Sequence, residues 1–290
     1  MRLTATVPAT VANLGPGFDS LALAVTLANE VEIDTEARPA VVVQGEGADE
    51  LPADASNLVF RSMAFLAREA GGALPPFRLT CRNEIPVQRG LGSSASAVVA
   101  GLLLADRLVG SGLDGDRMLE LAVDIEGHPD NVAACLRGGM AIAFLSASGW
   151  RTERLEPHPA LRPVLLVPTG ERMATDDARR MLPREVPLGD AVFNISRAAL
   201  VVVALTARPD LLPNALEDRL HQGRRLRLVP GAAALFQELR DRGIPVCVAG
   251  SGPSLLAFER HDSPVPDLGG AWRVLRVGVD GAGARVGEER

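Results

Sequence analysis

An α+β fold in two lobes is what this sequence predicts, on three observations. Extended and helical patterns alternate through the first half, a cluster of Gly149, Pro157, Pro159 and Pro163 interrupts the chain, and strands bounded by glycine turns return in the second half. With 290 residues, 47% hydrophobic and 23% charged, the chain can bury a full core. The expected division is a first lobe over 1–150 and a second over 151–290.

Residues 3–7 alternate as a strand does, and 31–35, 40–44 and 77–83 read as further strands, with a helix over 58–70. Val98, Val99, Leu102 and Leu103 give 95–108 the apolar face of a helix that Gly110 stops. Helical pattern returns over 117–126, the turn Gly127-His128-Pro129-Asp130-Asn131 follows, and Gly138-Gly139 leads into a strand at 140–145. The second half opens with a buried strand at 163–168 and continues with helices at 174–181, 190–206, 210–217 and 231–242. Extended segments at 246–249 and 255–259 flank the turn Gly250-Ser251-Gly252-Pro253-Ser254, and the glycine-rich, charged tail from Gly278 is expected to fray.

Composition narrows the partners. A net charge of −6, with arginines and acids interspersed, disfavours nucleic acid and anionic membrane surfaces and favours small molecules. The longest uninterrupted apolar runs, such as 198–205, are too short to span a bilayer, and the first residues alternate like a strand without a signal-peptide pattern. Cys81, Cys135 and Cys247 lie far apart in apolar segments and read as buried, reduced thiols of a cytoplasmic protein. All thirty basic residues are arginine. Without lysine there can be no Gly-x-x-x-x-Gly-Lys-Ser/Thr loop and no Schiff base, so a phosphate site must rely on backbone amides, hydroxyls, a metal and arginine.

Such a site is written in Asn83-Glu84-Ile85-Pro86-Val87-Gln88-Arg89-Gly90-Leu91-Gly92-Ser93-Ser94-Ala95-Ser96, where a strand runs into a Gly/Ser loop that opens a helix. Gly90 and Gly92 would let backbone approach an anion, and Ser93 and Ser94 add hydroxyls and free N–H groups at the positive end of the helix dipole. Taken alone, the segment is equally a flexible turn with a helix cap. Thr10-Val11-Ala12-Asn13-Leu14-Gly15-Pro16-Gly17-Phe18-Asp19-Ser20 is a second dense run of turn-forming and polar residues, with Asn13 and Asp19 as its chemical handles. In 124–131, four polar side chains crowd a helix end, and Glu126 suits Mg²⁺, which needs only one or two carboxylates beside phosphate oxygens and water.

Together, Pro8-Ala9-Thr10 through Asn13 to Asp19, Pro86 through Ala95, and Gly250-Ser251-Gly252-Pro253-Ser254 resemble the three motifs of the GHMP small-molecule kinases. Glu126-Gly127-His128-Pro129-Asp130-Asn131-Val132-Ala133, Asp190-Ala191-Val192-Phe193-Asn194 with Arg197, and Leu220-His221-Gln222 resemble, within that superfamily, the homoserine kinases. The resemblance spans residues 4 to about 259 and implies a ribosomal-S5-domain-2-like ATP-binding lobe and a ferredoxin-like lobe. It implies ATP and L-homoserine as substrates, Mg²⁺ as cofactor and a homodimer. The loop from Pro86 to Ser96 would wrap the triphosphate, with Ser94 and Glu126 near the metal. Asn13, Asp19, His128, Arg179 and Arg225 would hold homoserine, and Asp19 and Asn131 would stand at the chemistry, with no general base assigned. An acid suits the ammonium or hydroxyl of such a zwitterion and an arginine fork its carboxylate.

The chain departs from the family pattern at Ala22, at Ser96 and at Gly223-Arg224. The last leaves Arg224 and Arg225 competing for one role, as Glu120 competes with Glu126 for the metal. A GHMP kinase for another small alcohol and a catalytically silent ligand-binding relative are the alternative readings.

Overall fold

The computed structural model describes residues 1–289. The first part of the chain forms β1 (Arg2–Ala12), β2 (Leu21–Asp34), β3 (Ala40–Gly45), α1 (Leu58–Glu69), β4 (Arg78–Asn83), α2 (Ser93–Val109), α3 (Gly115–Glu126), α4 (Pro129–Arg137), β5 (Met140–Ser146) and β6 (Gly149–Leu155). The second forms β7 (Pro163–Pro168), α5 (Thr175–Arg180), α6 (Leu188–Thr206), α7 (Leu212–Ala215), α8 (Gln222–Leu226), α9 (Pro230–Asp241), β8 (Val246–Val248), β9 (Leu255–Phe258), β10 (Trp272–Arg276) and β11 (Arg285–Glu289).

The first sheet runs β11-β1-β2-β4-β3, with β5 on β2 and β6 on β5. A register shift between Pro8 and Ala9 turns β1 over. Leu3, Ala5 and Val7 pack under α1 to α4, whereas Ala9 and Val11 pack in a core shared with the second lobe. All five have the same parity, so an unbroken strand would bury them on one face. β2 makes the same change: Val31 and Ile33 face the helices, and Leu21, Leu23 and Val25 face the second lobe. One sheet thereby closes two cores, and the turn joining β1 to β2 is left at the junction of the lobes.

The second sheet runs β10-β7-β9-β8, antiparallel throughout. Counted in chain order this is 4-1-3-2, the ferredoxin-like arrangement, except that the second crossover carries only the short 3₁₀ turn Gly269–Ala271 instead of a helix. In β7, Leu165 and Val167 face the inter-lobe core while Val164 and Leu166 face α9, as a period of two requires.

Several elements differ from the sequence expectation. The tail does not fray: Arg285 to Glu289 pair with Thr6 to Arg2, and the Gly139 N–H donates to the Asp280 carbonyl at 2.7 Å. Only Val286 of that strand packs against the core, which leaves hydrophobic periodicity nothing to register. The first sheet therefore also takes in β6, across the expected 150/151 boundary, and β11 from the far end of the chain. β2 begins at Leu21, ten residues before the expected strand, and Pro129 starts a helix where only a turn was read. The expected helix at 210–217 divides into the 3₁₀ turn Pro209–Leu211 and α7. Contrary to the reading of apolar runs, α6 is long and apolar enough to cross a membrane by length and composition. Here it packs Val201, Ala204 and Leu205 into the inter-lobe core and leaves Leu188, Val192 and Ile195 exposed.

Candidate active site

A cleft of about 300 Å³ lies between the lobes, lined by all of residues 86–94 together with Asn13, Asp19, Glu126, His128, Asp130, Asn131, Arg179 and Arg225. Its first wall is the loop into α2. The loop is hung from β2, because the Asn29 Oδ1 accepts the N–H groups of Glu84 and Ile85 at 2.8 and 2.9 Å. Gly92, at φ +72°, caps α2 without a side-chain hydrogen bond, so the first amides of the helix have no intrahelical acceptor. Ala95 and Ser96 are buried behind this wall and do not line the cleft; the Ser96 hydroxyl donates to the Ser93 carbonyl at 2.9 Å.

The two loop glycines, both lining the cleft, also meet close neighbours within the fold. A Cβ on Gly90 would stand 2.1 Å from the Ala249 carbonyl oxygen, and one on Gly92 would stand 2.1 Å from the Thr10 Oγ1. Both residues also sit at φ +72°. Glycine here lets the loop nest against the segments before and after it in the fold, and so fixes the amides that face the cleft.

The β1–β2 turn forms the floor. Asn13, Leu14 and Asp19 all have positive φ. The Asn13 Oδ1 accepts the Asp19 N–H at 3.0 Å and its Nδ2 donates to the Gly250 carbonyl at 2.9 Å, which ties the first motif to the third. Asn13 lines the cleft with part of its hydrogen-bonding capacity already committed. Arg179 reaches across from α5 and grips the Asp19 carboxylate with both terminal nitrogens, at 2.9 and 2.7 Å.

Arg225 and not Arg224 enters the cleft; it is 3% exposed, and burial lowers its pKa to about 10. Its Nη1 donates to the Gly250 carbonyl at 2.6 Å and to the Nδ1 of His221 at 3.1 Å. The Nε atoms of Arg179 and Arg225 are buried and carry no hydrogen bond. His221 is itself held by its Nε2 at 2.7 Å from the Gly15 carbonyl, and Asp218 accepts the backbone N–H groups of His221 and Gln222 at 2.8 Å each. Burial pushes the His221 pKa down to about 4. A neutral ring that accepts at Nδ1 and donates from Nε2 satisfies both contacts.

The remaining wall is the end of α3 and the start of α4. The Ser94 hydroxyl donates to the Glu126 Oε2 at 2.7 Å, and burial lifts the Glu126 carboxyl to about 7. Glu120 pairs instead with Arg117 at 3.0 Å and lies outside the cleft that Glu126 lines. His128 stands 3.9 Å from Glu126, its pKa lowered by burial and by Arg179. Asp130 is fully buried and lifted to about 7, first by burial and then by the charge of Asp19. The Thr10 hydroxyl donates to the Asn131 Oδ1 at 2.7 Å, and the Asn131 Nδ2 has no protein partner among the described residues.

Sequence reasoning quoted Thr10, Asp130 and His221 inside motifs without giving any of them a role, and it missed Asn29 and the far end of the cleft. That end is lined by Leu51, Pro52, Ser56, Asn57, Leu58 and Val59. Nothing in their spacing marks them; they become neighbours of the loop because α1 packs along α2. Contacts also join the lobes: Arg172 pairs with Glu50 and Arg273 with Glu46 at 2.5 Å beside a neighbouring pocket, and in the cleft the Met173 N–H donates to the Gln88 carbonyl at 3.2 Å. No cluster of three or more His, Cys, Asp or Glu side chains suited to a metal occurs among the described residues.

The arrangement sets amides and a hydroxyl–carboxylate pair beside a pocket containing two acids and two arginines. Comparison with known proteins agrees with it. The family model for the GHMP kinases N terminal domain matches residues 57–139. The homoserine kinase of Streptomyces coelicolor is 44% identical over 287 residues, covering 97% of this chain and 93% of that protein. That of Leifsonia xyli subsp. xyli is 43% identical over 97% of this chain and 90% of its own length. The crystal structure of homoserine kinase from Cytophaga hutchinsonii superposes with a TM-score of 0.84 at 27% identity, covering 98% of this chain and 97% of that one.

Proposed function

The chain belongs to the homoserine kinases of the GHMP superfamily, and we propose that it transfers the γ-phosphoryl group of ATP to the side-chain hydroxyl of L-homoserine, giving O-phospho-L-homoserine and ADP for threonine biosynthesis. One observation carries this reading: Asp19, Asp130, Arg179 and Arg225 meet in one cleft with the start of α2. Two acids and two arginines complement a zwitterion, and a helix N-terminus complements a triphosphate. Mevalonate or a sugar has no ammonium group to occupy the acids. A silent binder would have no use for the Ser94–Glu126 pair.

In the proposed pose the triphosphate lies on the loop 86–94 with the base toward Leu51 and Val59. Arg179 and Arg225 take the carboxylate, Asp19 and Asp130 the ammonium, and the Asn131 Nδ2 donates to the hydroxyl that reacts. That hydroxyl oxygen forms the new bond to the γ-phosphorus as the bond to the β–γ bridging oxygen breaks, ADP leaves with its electron pair, and the hydroxyl proton passes to a phosphoryl oxygen and from there to water. Alignment and charge neutralisation supply most of the catalysis of such a transfer, so no side chain is assigned as general base. Ser94 and Glu126 fit Mg²⁺: a buried carboxylate whose pKa is lifted to about 7 stands against a hydroxyl where the phosphates would pass. A metal held there by Ser94 and Glu126 would offset the charge of the phosphates.

We assign the enzyme to the cytoplasm, on its three buried free thiols, and to a homodimer. The exposed apolar positions Leu188, Val192 and Ile195 recur on one face of α6, which a second copy of that face would cover. Light scattering that returns a monomer mass would remove the dimer. The activity is tested by incubating the protein with ATP, Mg²⁺ and L-homoserine and following phosphorus by NMR. A new phosphomonoester matching ADP one to one is expected; ADP without it would refute the reading.

A further inference from the structure

The ring of Phe18 lies within reach of two of the arginines that line the cleft, Arg179 and Arg225. The Arg179 guanidinium carbon is 5.6 Å from the ring centroid and that of Arg225 is 5.4 Å away. Both distances fall within the reach of cation–π attraction. The His221 ring is tilted against the same phenyl ring at 5.4 Å between centroids. His221 also accepts the Arg225 Nη1 on one side and meets the Gly15 carbonyl on the other. Neither Phe18 nor His221 lines the cleft.

The two guanidinium charges repel each other, Arg179 being one of the charges that lower the Arg225 pKa. The phenyl ring lies within cation–π reach of both, while His221 accepts from the Arg225 Nη1 and so fixes that end of the side chain. The anchor continues outward: the Asn194 Nδ2 donates to Asp218 at 2.7 Å, and Asp218 holds the backbone of His221. We propose that Phe18 and His221 are positioning residues that set the spacing of Arg179 and Arg225, and that this spacing gives the enzyme its preference for an alcohol bearing a carboxylate.

The inference rests on the proposed reading of the arginines as carboxylate ligands, and the test separates the two. The quantity measured is the ratio of kcat/KM on L-homoserine to kcat/KM on 3-aminopropan-1-ol, which keeps the hydroxyl and ammonium and lacks the carboxylate. Phe18→Leu keeps the bulk of the side chain and removes the ring; the ratio is expected to fall about tenfold. Phe18→Tyr keeps an aromatic face and is expected to hold the ratio. His221→Asn is expected to lower it as Phe18→Leu does, and because Phe18 is only half-buried its variants answer the question even if the histidine variant fails to fold. A Phe18→Leu enzyme with an unchanged ratio, when Arg225→Ala has collapsed it, overturns the inference and spares the carboxylate reading. An Arg225→Ala enzyme that keeps the ratio removes the carboxylate reading, and this inference with it.

Discussion

Arg179 donates to both carboxylate oxygens of Asp19, at 2.9 and 2.7 Å, and so joins α5 of the second lobe to the β1–β2 turn of the first. An amino acid carries the same two charges. Its ammonium can replace the guanidinium at Asp19, and its carboxylate can replace Asp19 at Arg179.

Arg179→Lys keeps the charge and loses the planar fork. It is expected to raise KM for homoserine more than KM for ATP and to cut kcat/KM on homoserine roughly ten- to a hundredfold. Steady-state kinetics with each substrate varied in turn checks this, and equal effects on both KM values would place Arg179 elsewhere in the reaction.

Glu126→Gln is expected to keep the fold and lose most of kcat at saturating Mg²⁺, because an amide is a poor ligand for a hard cation. Glu120→Gln should change kcat little, since Glu120 pairs with Arg117 outside the cleft. The reverse order of effects would move the metal away from Ser94.

Gly92→Val is expected to damage the fold as well as nucleotide binding. Its Cβ would meet the Thr10 Oγ1 at 2.1 Å from a backbone held at φ +72°. Strain at such a position costs roughly 1–3 kcal/mol, which a fall in Tm by calorimetry would report. An unchanged Tm would mean that the loop is not fixed by Thr10.

Asp130→Asn is expected to stabilise the protein while weakening homoserine binding, a trade seen where function keeps a costly buried group. Burial holds the Asp130 carboxyl at about 7 against an ordinary 3.8. The folded state then binds this proton more tightly than the unfolded state, so the stability it contributes is complete below 3.8 and is lost as pH rises through 7. The Tm advantage of the variant should therefore widen from pH 4 to pH 8. A constant gap would show that Asp130 is not the group responsible.

The reach of the sequence follows physical lines. The loop over 86–94, Asn13 and Asp19 were legible because small and polar residues in a row after a strand are rare unless backbone must turn there. The close contacts of Gly90 with the Ala249 carbonyl and of Gly92 with Thr10 were not legible, because what a glycine approaches is a tertiary fact. Asp130 and His221 left no signal of their burial, since one polar letter beside apolar neighbours does not say which way it faces. β11 was hidden for the opposite reason: an edge strand with one packed side chain looks like solvent-exposed tail. Glu126 and Arg225 could be chosen over Glu120 and Arg224 only once the ends of α3 and α8 were placed at the cleft.

The charges of the cleft decide which alcohol receives the phosphate. The measurement is kcat/KM by coupled ADP release with L-homoserine, mevalonate, galactose and L-threonine supplied one at a time. Asp19, Asp130, Arg179 and Arg225 around one cleft predict homoserine ahead of galactose, which lacks both charges, by at least about a hundredfold, and ahead of mevalonate, which lacks the ammonium, by about tenfold; L-threonine carries both charges and tests the placement of the hydroxyl alone. Equal or greater turnover of mevalonate or galactose, or no ADP above background with any of the four, would contradict it.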